Sequence, residues 1–397
     1  MQNQKTPQLS KNKLLESFTL FFNSEKSSGI LLVACTIISL ALANSLVGPD
    51  YLNFWKLRVG GLSIGHWVND ALMAIFFLLI GLELVREIKN GELSNLKNAL
   101  LPIFAALGGI CVPALIHFSL NAGTPTQPGI GIPMATDIAF ALGALALLGN
   151  RVPASLKIFL TAVAVIDDLG AIIVIAVFYT AHLKIAYLFG AIAVFCVLLT
   201  INRFLKVLSL WPYLIGGVLM WGLMFYSGVH ATIAGVLLAF AIPVSAKVND
   251  ASSPSYQLEN FLHKPVAFII LPIFALANTG IIIGTDWAQS LTSANSLGIS
   301  LGLIIGKPIG ITLASLAVVM MGICSLPTNL NWRLIFGVGI LSGIGFTMSI
   351  FITNLAFSAA PEVVNASKMA ILLGSLVAGI FGFIWLKVFL KPVEVHD

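Results

Sequence analysis

Residues 163–172 read VAVIDDLGAI, which puts Asp167 and Asp168 side by side inside an apolar run from Leu156 to Tyr179 whose only other charge is Lys157, near its edge. An aspartate at the centre of a membrane helix costs roughly 2.5 to 3.5 kcal/mol, so a pair there must do something an apolar residue cannot. Three more ionisable side chains stand in apolar surroundings: Asp70 after Asn69, Asp137 in GIPMATDIAFALGAL, and Lys307 in LIIGKPIGIT. Burial disfavours the charged form of a carboxylate, and a second carboxylate close by disfavours it further, so such a cluster can hold a proton near neutral pH. Once deprotonated, the same oxygens make a hard site for a small cation. Competition between proton and cation for one set of atoms is exchange, and a carrier whose site faces the two sides in turn needs no separate coupling device.

Plainer roles are open to the same residues. Asp70, near the end of its span, reads equally as an interfacial cap. Asp137 could cap a half-helix that begins after Pro133. Lys307 could reach for the membrane surface, but it lies midway along its run, where a lysine more often pairs with a buried carboxylate. Neighbouring helical residues point about 100° apart, so one partner can fully occupy only one of Asp167 and Asp168.

The elements that must position these groups follow from composition. The chain of 397 residues is 58% hydrophobic and 9% charged, with a mean hydropathy of +1.00, whereas soluble domains carry about 25% charged residues. An all-α polytopic membrane protein is the fold class expected. No polar stretch is long enough to fold alone, so residues 28–387 read as a single membrane transport domain between a polar N-terminal segment (1–27), without a convincing cleavage site, and a short tail (388–397). With about 20 apolar residues per crossing, twelve spans are expected, near 28–46, 65–88, 99–120, 129–149, 154–179, 183–201, 210–226, 228–245, 261–282, 296–321, 333–355 and 364–387. Placing the N-terminus inside puts sixteen of the 21 lysines and arginines on the cytoplasmic side and four outside, with Lys307 within a span. That bias predicts cytoplasmic termini. It also explains the net charge of +5 as membrane topology, with no nucleic-acid partner implied. The four cysteines lie apart from one another, without disulfide or zinc spacing. Residues 51–65, the only long outer segment, alternate around Gly60-Gly61 as a short hairpin would.

The glycines of spans 4 and 11 predict broken helices. Gly129, Gly131 and Pro133 precede Thr136-Asp137, and Gly337, Gly339, Gly343 and Gly345 precede Thr347. Interrupted helices at membrane depth are tolerated where they face a cavity, which favours a carrier over a channel. Spans 3–5 and 10–12 then match as inverted repeats, with helices 4 and 11 crossing at mid-membrane. Such crossed, broken helices mark transporter binding sites, a generalisation to which the family named next has itself contributed.

The segments NDALMAIFFLLIGLELVREI (69–88), IPMATDIAFALGALALLG (132–149), LKIFLTAVAVIDDLGAIIVIA (156–176), SGVHATIAGV (227–236), LPIFALANTG (271–280), GKPIGI (306–311) and LSGIGFTMSIFI (341–352) closely resemble the NhaA-type bacterial sodium/proton antiporters from the first span to the last. The resemblance implies a multi-pass protein of the bacterial inner membrane. It would exchange internal sodium or lithium for external protons, electrogenically and with pH dependence, without a cofactor. Asp167 and Asp168 would be the central pair that binds sodium, Thr136 and Asp137 would lie at the break of span 4, and Lys307 would be the cationic partner. The resemblance further implies a homodimer through 51–65, and a pH-responsive region formed by Glu83, Arg86 and Glu87 with Glu259 and His263. Charges at span ends also serve as solvated anchors, and Asn260 departs from the histidine of the best-known members. His230 matches the family as well, but a lone histidine near a span start is as often a packing residue.

Two enzyme classes are disfavoured. An intramembrane aspartyl protease would need a GxGD segment, which is absent, and a prenyl-transferring enzyme would need two aspartate-rich motifs, whereas LGAI follows this pair. A passive cation channel remains as the alternative.

Overall fold

The computed structural model describes residues 25–179, 183–245, 250–285, 287–327 and 329–390. Most of the expected N-terminal segment, the end of the C-terminal tail, and Lys5, Lys11, Lys13, Lys247 and Lys391 of the charge count lie outside the described residues.

Helices dominate because apolar runs in a medium without water must satisfy every backbone amide and carbonyl within the segment. Among the described residues, eight helices are long and apolar enough to cross a membrane, or nine if a bent pair counts as one span. In chain order the helices that matter here are α1 (Glu25–Ala43), α2 (Ile64–Asn90), α3 (Lys97–Asn121), α4 (Ile138–Ala146), α5 (Ala154–Phe178), α6 (Ile185–Leu205), α7 (Trp211–Ser227), α8 (Ile233–Ala241), α9 (Pro254–Asn278), α10 (Ala294–Met320), α11 (Trp332–Leu341), α12 (Phe346–Ala356) and α13 (Pro361–Phe389). Spans expected at 28–46 and 210–226 fall on α1 and α7, of 19 and 17 residues, and the one expected at 228–245 falls on α8, whose 9 residues are too few for a full crossing.

The segment expected as a hairpin is only partly one. Residues Gly48–Phe54 form a short helix, and the ladder is confined to Arg58–Val59 against Leu62–Ser63, closed by Gly60 and Gly61 with positive φ. Pro49 at the first turn and Asp50 beside it favour helix there over strand.

The core surrounds α2 and α5. Met73, Phe77 and Leu82 of α2 and Leu156, Leu160 and Val163 of α5 are buried, whereas α6 and α7 leave Phe189, Val197, Ile215 and Val218 exposed. An apolar exterior of this kind suits lipid. Helices α3 and α10 approach very closely: a Cβ on Gly108 would stand 2.1 Å from the Gly310 carbonyl oxygen, and one on Gly310 the same distance from that of Gly108. Small residues permit such backbone contact where no hydrophobic force drives helices together. It carries Lys307, one turn before Gly310, towards α5.

Two spans are interrupted. The run Gln127–Met134 is a tight 3-10 helix, Ala135 and Asp137 are extended, and α4 starts only at Ile138. The other break separates α11 from α12, which are bent by 48°. The breaks touch: the Asp137 amide donates to the Ile344 carbonyl at 2.6 Å, and the Thr136 hydroxyl donates to the Ser342 carbonyl at 2.9 Å. Each break thus answers backbone groups that the other exposes.

Candidate functional site

Six side chains from four segments of the chain come together at this junction: Thr136, Asp137, Asp167, Asp168, Lys307 and Thr347. Asp167 is fully buried on α5, and its Oδ2 accepts from the Lys307 ammonium at 2.5 Å and from the Thr136 hydroxyl at 2.8 Å. Lys307 is likewise fully buried. Asp137 caps α4, its Oδ1 accepting from the Phe140 amide at 3.1 Å, while its Oδ2 accepts from the Thr347 amide at 3.0 Å and the Thr347 hydroxyl at 2.5 Å. One carboxylate thereby serves the N-terminus of α4 and the first turn of α12, both positive ends of helix dipoles.

Asp168 is different. It is fully buried, and neither carboxylate oxygen has a hydrogen-bond partner; Asp167 Oδ1 is also unpartnered. The helical step between Asp167 and Asp168 accounts for the contrast, since Lys307 reaches the first from one direction only. Buried polar atoms in folded proteins are nearly always paired, so the three bare oxygens of these two adjacent carboxylates call for a partner. A proton or a small hard cation fits such a set. The oxygens are hard donors and no sulfur or imidazole stands among them, which argues against zinc or copper.

The expected second cluster also assembles. At the end of α2, Arg86 pairs with Glu259 of α9 and, at 3.4 Å, with Glu87. His263 lies 3.8 Å from Glu83. Arg86, Glu87 and Glu259 border a cavity of about 160 Å³ whose walls also include Asn90, Asp250 and Tyr256. Asp70 joins neither cluster through a hydrogen bond or ion pair among the described residues; its carbonyl accepts from the Trp221 indole at 3.2 Å. The His230 ring bonds to the Tyr179 carbonyl at 3.0 Å, a packing role at the end of α5.

Sequence reasoning missed Ser342 and the hold of Thr347 on Asp137, which spans 210 positions of the chain. Hydroxyl residues next to glycine-rich breaks were the signal available. The apolar context drew attention to charges instead.

A multi-pass helical membrane protein with ionisable groups buried where two interrupted helices meet is the class that fold and site define. The chain belongs to the Na+/H+ antiporter 1 family, whose sequence model matches residues 19–386. It is 68% identical over 377 residues to the Na(+)/H(+) antiporter NhaA of Dechloromonas aromatica (strain RCB), covering 95% of this chain and 97% of that protein. It is 59% identical over 385 residues to the NhaA antiporter of Flavobacterium psychrophilum, covering 97% and 99%, and 58% identical over 379 residues to that of Cytophaga hutchinsonii, covering 96% and 97%.

Proposed function

We propose that this protein is a secondary transporter that exchanges internal sodium or lithium for external protons across the bacterial inner membrane, with Asp167 and Asp168 as the shared binding pair. The single observation that carries this reading is a fully buried Asp168 without one hydrogen-bond donor, next to an Asp167 held by Lys307 and Thr136. A bare buried carboxylate is expensive as an isolated anion. A proton relieves that cost by neutralising it and a sodium ion relieves it by binding, and the two cannot do so at once.

The chemistry then follows from the groups present. With Asp168 protonated, the charges of the Asp167–Lys307 pair cancel each other. Loading sodium requires Asp168 to lose its proton and draws Asp167 away from Lys307, whose own proton becomes a second one to release. Two protons exchanged for one sodium ion would move net charge, making transport electrogenic. Asp137 and Thr347 keep the two broken helices together while the site turns.

Several features belong to the same reading. The domain would comprise twelve spans, with inverted repeats of spans 3–5 and 10–12 whose helices 4 and 11 cross at mid-membrane. Both termini would be cytoplasmic, and two copies would pair through the hairpin at 51–65. The cluster of Glu83, Arg86, Glu87, Glu259 and His263 would face the cytoplasm and adjust the pH response. The test is proton flux in everted vesicles or proteoliposomes on adding sodium, lithium, potassium and calcium in turn at several pH values. Proton movement on sodium and lithium alone supports the reading, and sodium flux without proton movement would make the protein a channel.

A further inference from the structure

Asp168 and Asp167 are not the only groups at the junction that lack a partner. Ser342 is fully buried, and its hydroxyl makes no hydrogen bond, not even the return bond to a preceding carbonyl that serines in helices commonly make. Its backbone is engaged on both sides: the Ser342 amide donates to the Val338 carbonyl at 2.8 Å, and its own carbonyl accepts the Thr136 hydroxyl. That same Thr136 hydroxyl is 2.8 Å from Asp167 Oδ2, so one hydroxyl group separates the Ser342 main chain from the carboxylate. Gly343, the next residue, fixes the position further: a Cβ there would lie 2.3 Å from the Leu303 carbonyl oxygen, so the break is seated against α10.

The buried hydroxyls of Ser155, Thr312 and Ser315 are bare too, but Ser342 is the one tied to the junction, because its carbonyl shares the Thr136 hydroxyl with Asp167 Oδ2. Nearby, the unmet atoms are carboxylate oxygens, which can accept but, when ionised, not donate. A cation that gathers oxygen donors satisfies a hydroxyl and carboxylates together. From this geometry we propose that the Ser342 hydroxyl is a neutral oxygen ligand of the transported cation, completing with Asp167 and Asp168 a site that draws on both interrupted spans. The inference rests on the exchange reading above and extends it to the second broken helix. The two carboxylates supply the charge that sodium and proton compete for. Ser342 carries no exchangeable charge, so it favours the metal ion over the proton and sets how tightly sodium is held.

Three variants test this in proteoliposomes. Ser342→Ala removes the oxygen, Ser342→Cys replaces it with a softer sulfur that suits a hard cation poorly, and Ser342→Thr keeps it. The expected result is that Ala and Cys raise the KM for sodium about threefold to tenfold, in line with the loss of one polar contact, with the maximal rate retained. Thr should stay close to the parent. Because sodium then competes less well, the pH midpoint at limiting sodium should also rise in the Ala and Cys variants while the midpoint at saturating sodium does not. A purely structural serine would instead lower thermal stability and maximal rate without a selective change in KM. Unchanged sodium KM in both Ala and Cys overturns the proposal. Failure of the exchange reading itself would look different: the parent would show no sodium-driven proton movement, or Asp168→Asn would retain it.

Discussion

The buried junction and the cluster where α2 meets α9 hold the same kinds of side chain under opposite conditions. At the cluster, Arg86 answers both Glu259 and Glu87 beside a cavity of about 160 Å³, and a histidine stands near Glu83. At the junction one ammonium meets one of two adjacent carboxylates and the other is left bare. Charges that are paired beside a cavity can change protonation at modest cost and tune an equilibrium. A carboxylate buried without a donor is relieved by a proton or a cation, so under the proposed exchange the unmet groups would bind the cargo and the paired ones would adjust it. The three junction aspartates repeat the lesson in miniature: Asp137 accepts three hydrogen bonds, Asp167 two, and Asp168 none.

The largest effect should come from the bare group. Asp168→Asn is expected to abolish sodium-dependent proton flux while leaving a folded protein of equal or greater thermal stability, because an amide removes the buried charge. Retained transport would break the division between the two regions at its strongest point. Asp167→Asn should be nearly as severe for transport.

Lys307→Ala comes next. Removing one partner of a buried pair costs about 3 to 5 kcal/mol, so unfolding should move to lower temperature as transport is lost. Neutralising Asp167 in the same protein should restore much of that stability. Strictly additive losses would mean that Asp167 and Lys307 do not act as a pair.

Asp137→Ala should reverse the pattern of Asp168→Asn. It removes the cap of α4 and the tie to Thr347, so a loss of at least about 1 kcal/mol is expected from the cap alone, with transport reduced rather than abolished. Thermal denaturation of the two variants side by side sharpens the contrast between a structural and a ligand carboxylate.

The smallest effects belong to the outlying cluster. A protonated site cannot load sodium, so transport should rise as pH rises through the range in which the junction loses its proton. Competition moves the midpoint upward in pH when sodium is made limiting. A component of the pH profile that sodium cannot move would come from the cluster, and Glu259→Gln or Glu87→Gln should displace it. Asn260→His should shift it by no more than a few tenths of a unit, and finding no such component would remove the regulatory role.

How much of this was legible in the sequence depended on the range of the interaction. Asp167, Asp168 and Lys307 stood out because charge is conspicuous in an apolar run, and the breaks at 135–137 and 342–345 were foreshadowed by glycine and proline. Helix α10 was placed within two residues at its start and one at its end because its pattern is local. The helical start of the 51–65 segment was hidden by the alternation that follows it, although Pro49 and Asp50 were visible signals. The Asp137–Thr347 and Thr136–Ser342 bonds join positions about two hundred residues apart, and no spacing rule reaches that far. An unpartnered hydroxyl can be recognised only after its neighbours are in place.

The central claim is that sodium and protons compete for the Asp167–Asp168 pair, and proton release from purified protein measures it without transport. Sodium chloride added to weakly buffered, detergent-solubilised protein should acidify the medium in a saturable way, with potassium chloride producing little change and Asp168→Asn releasing nothing. Equal release from the parent and from Asp168→Asn, or none from the parent across the pH range of transport, would contradict the account.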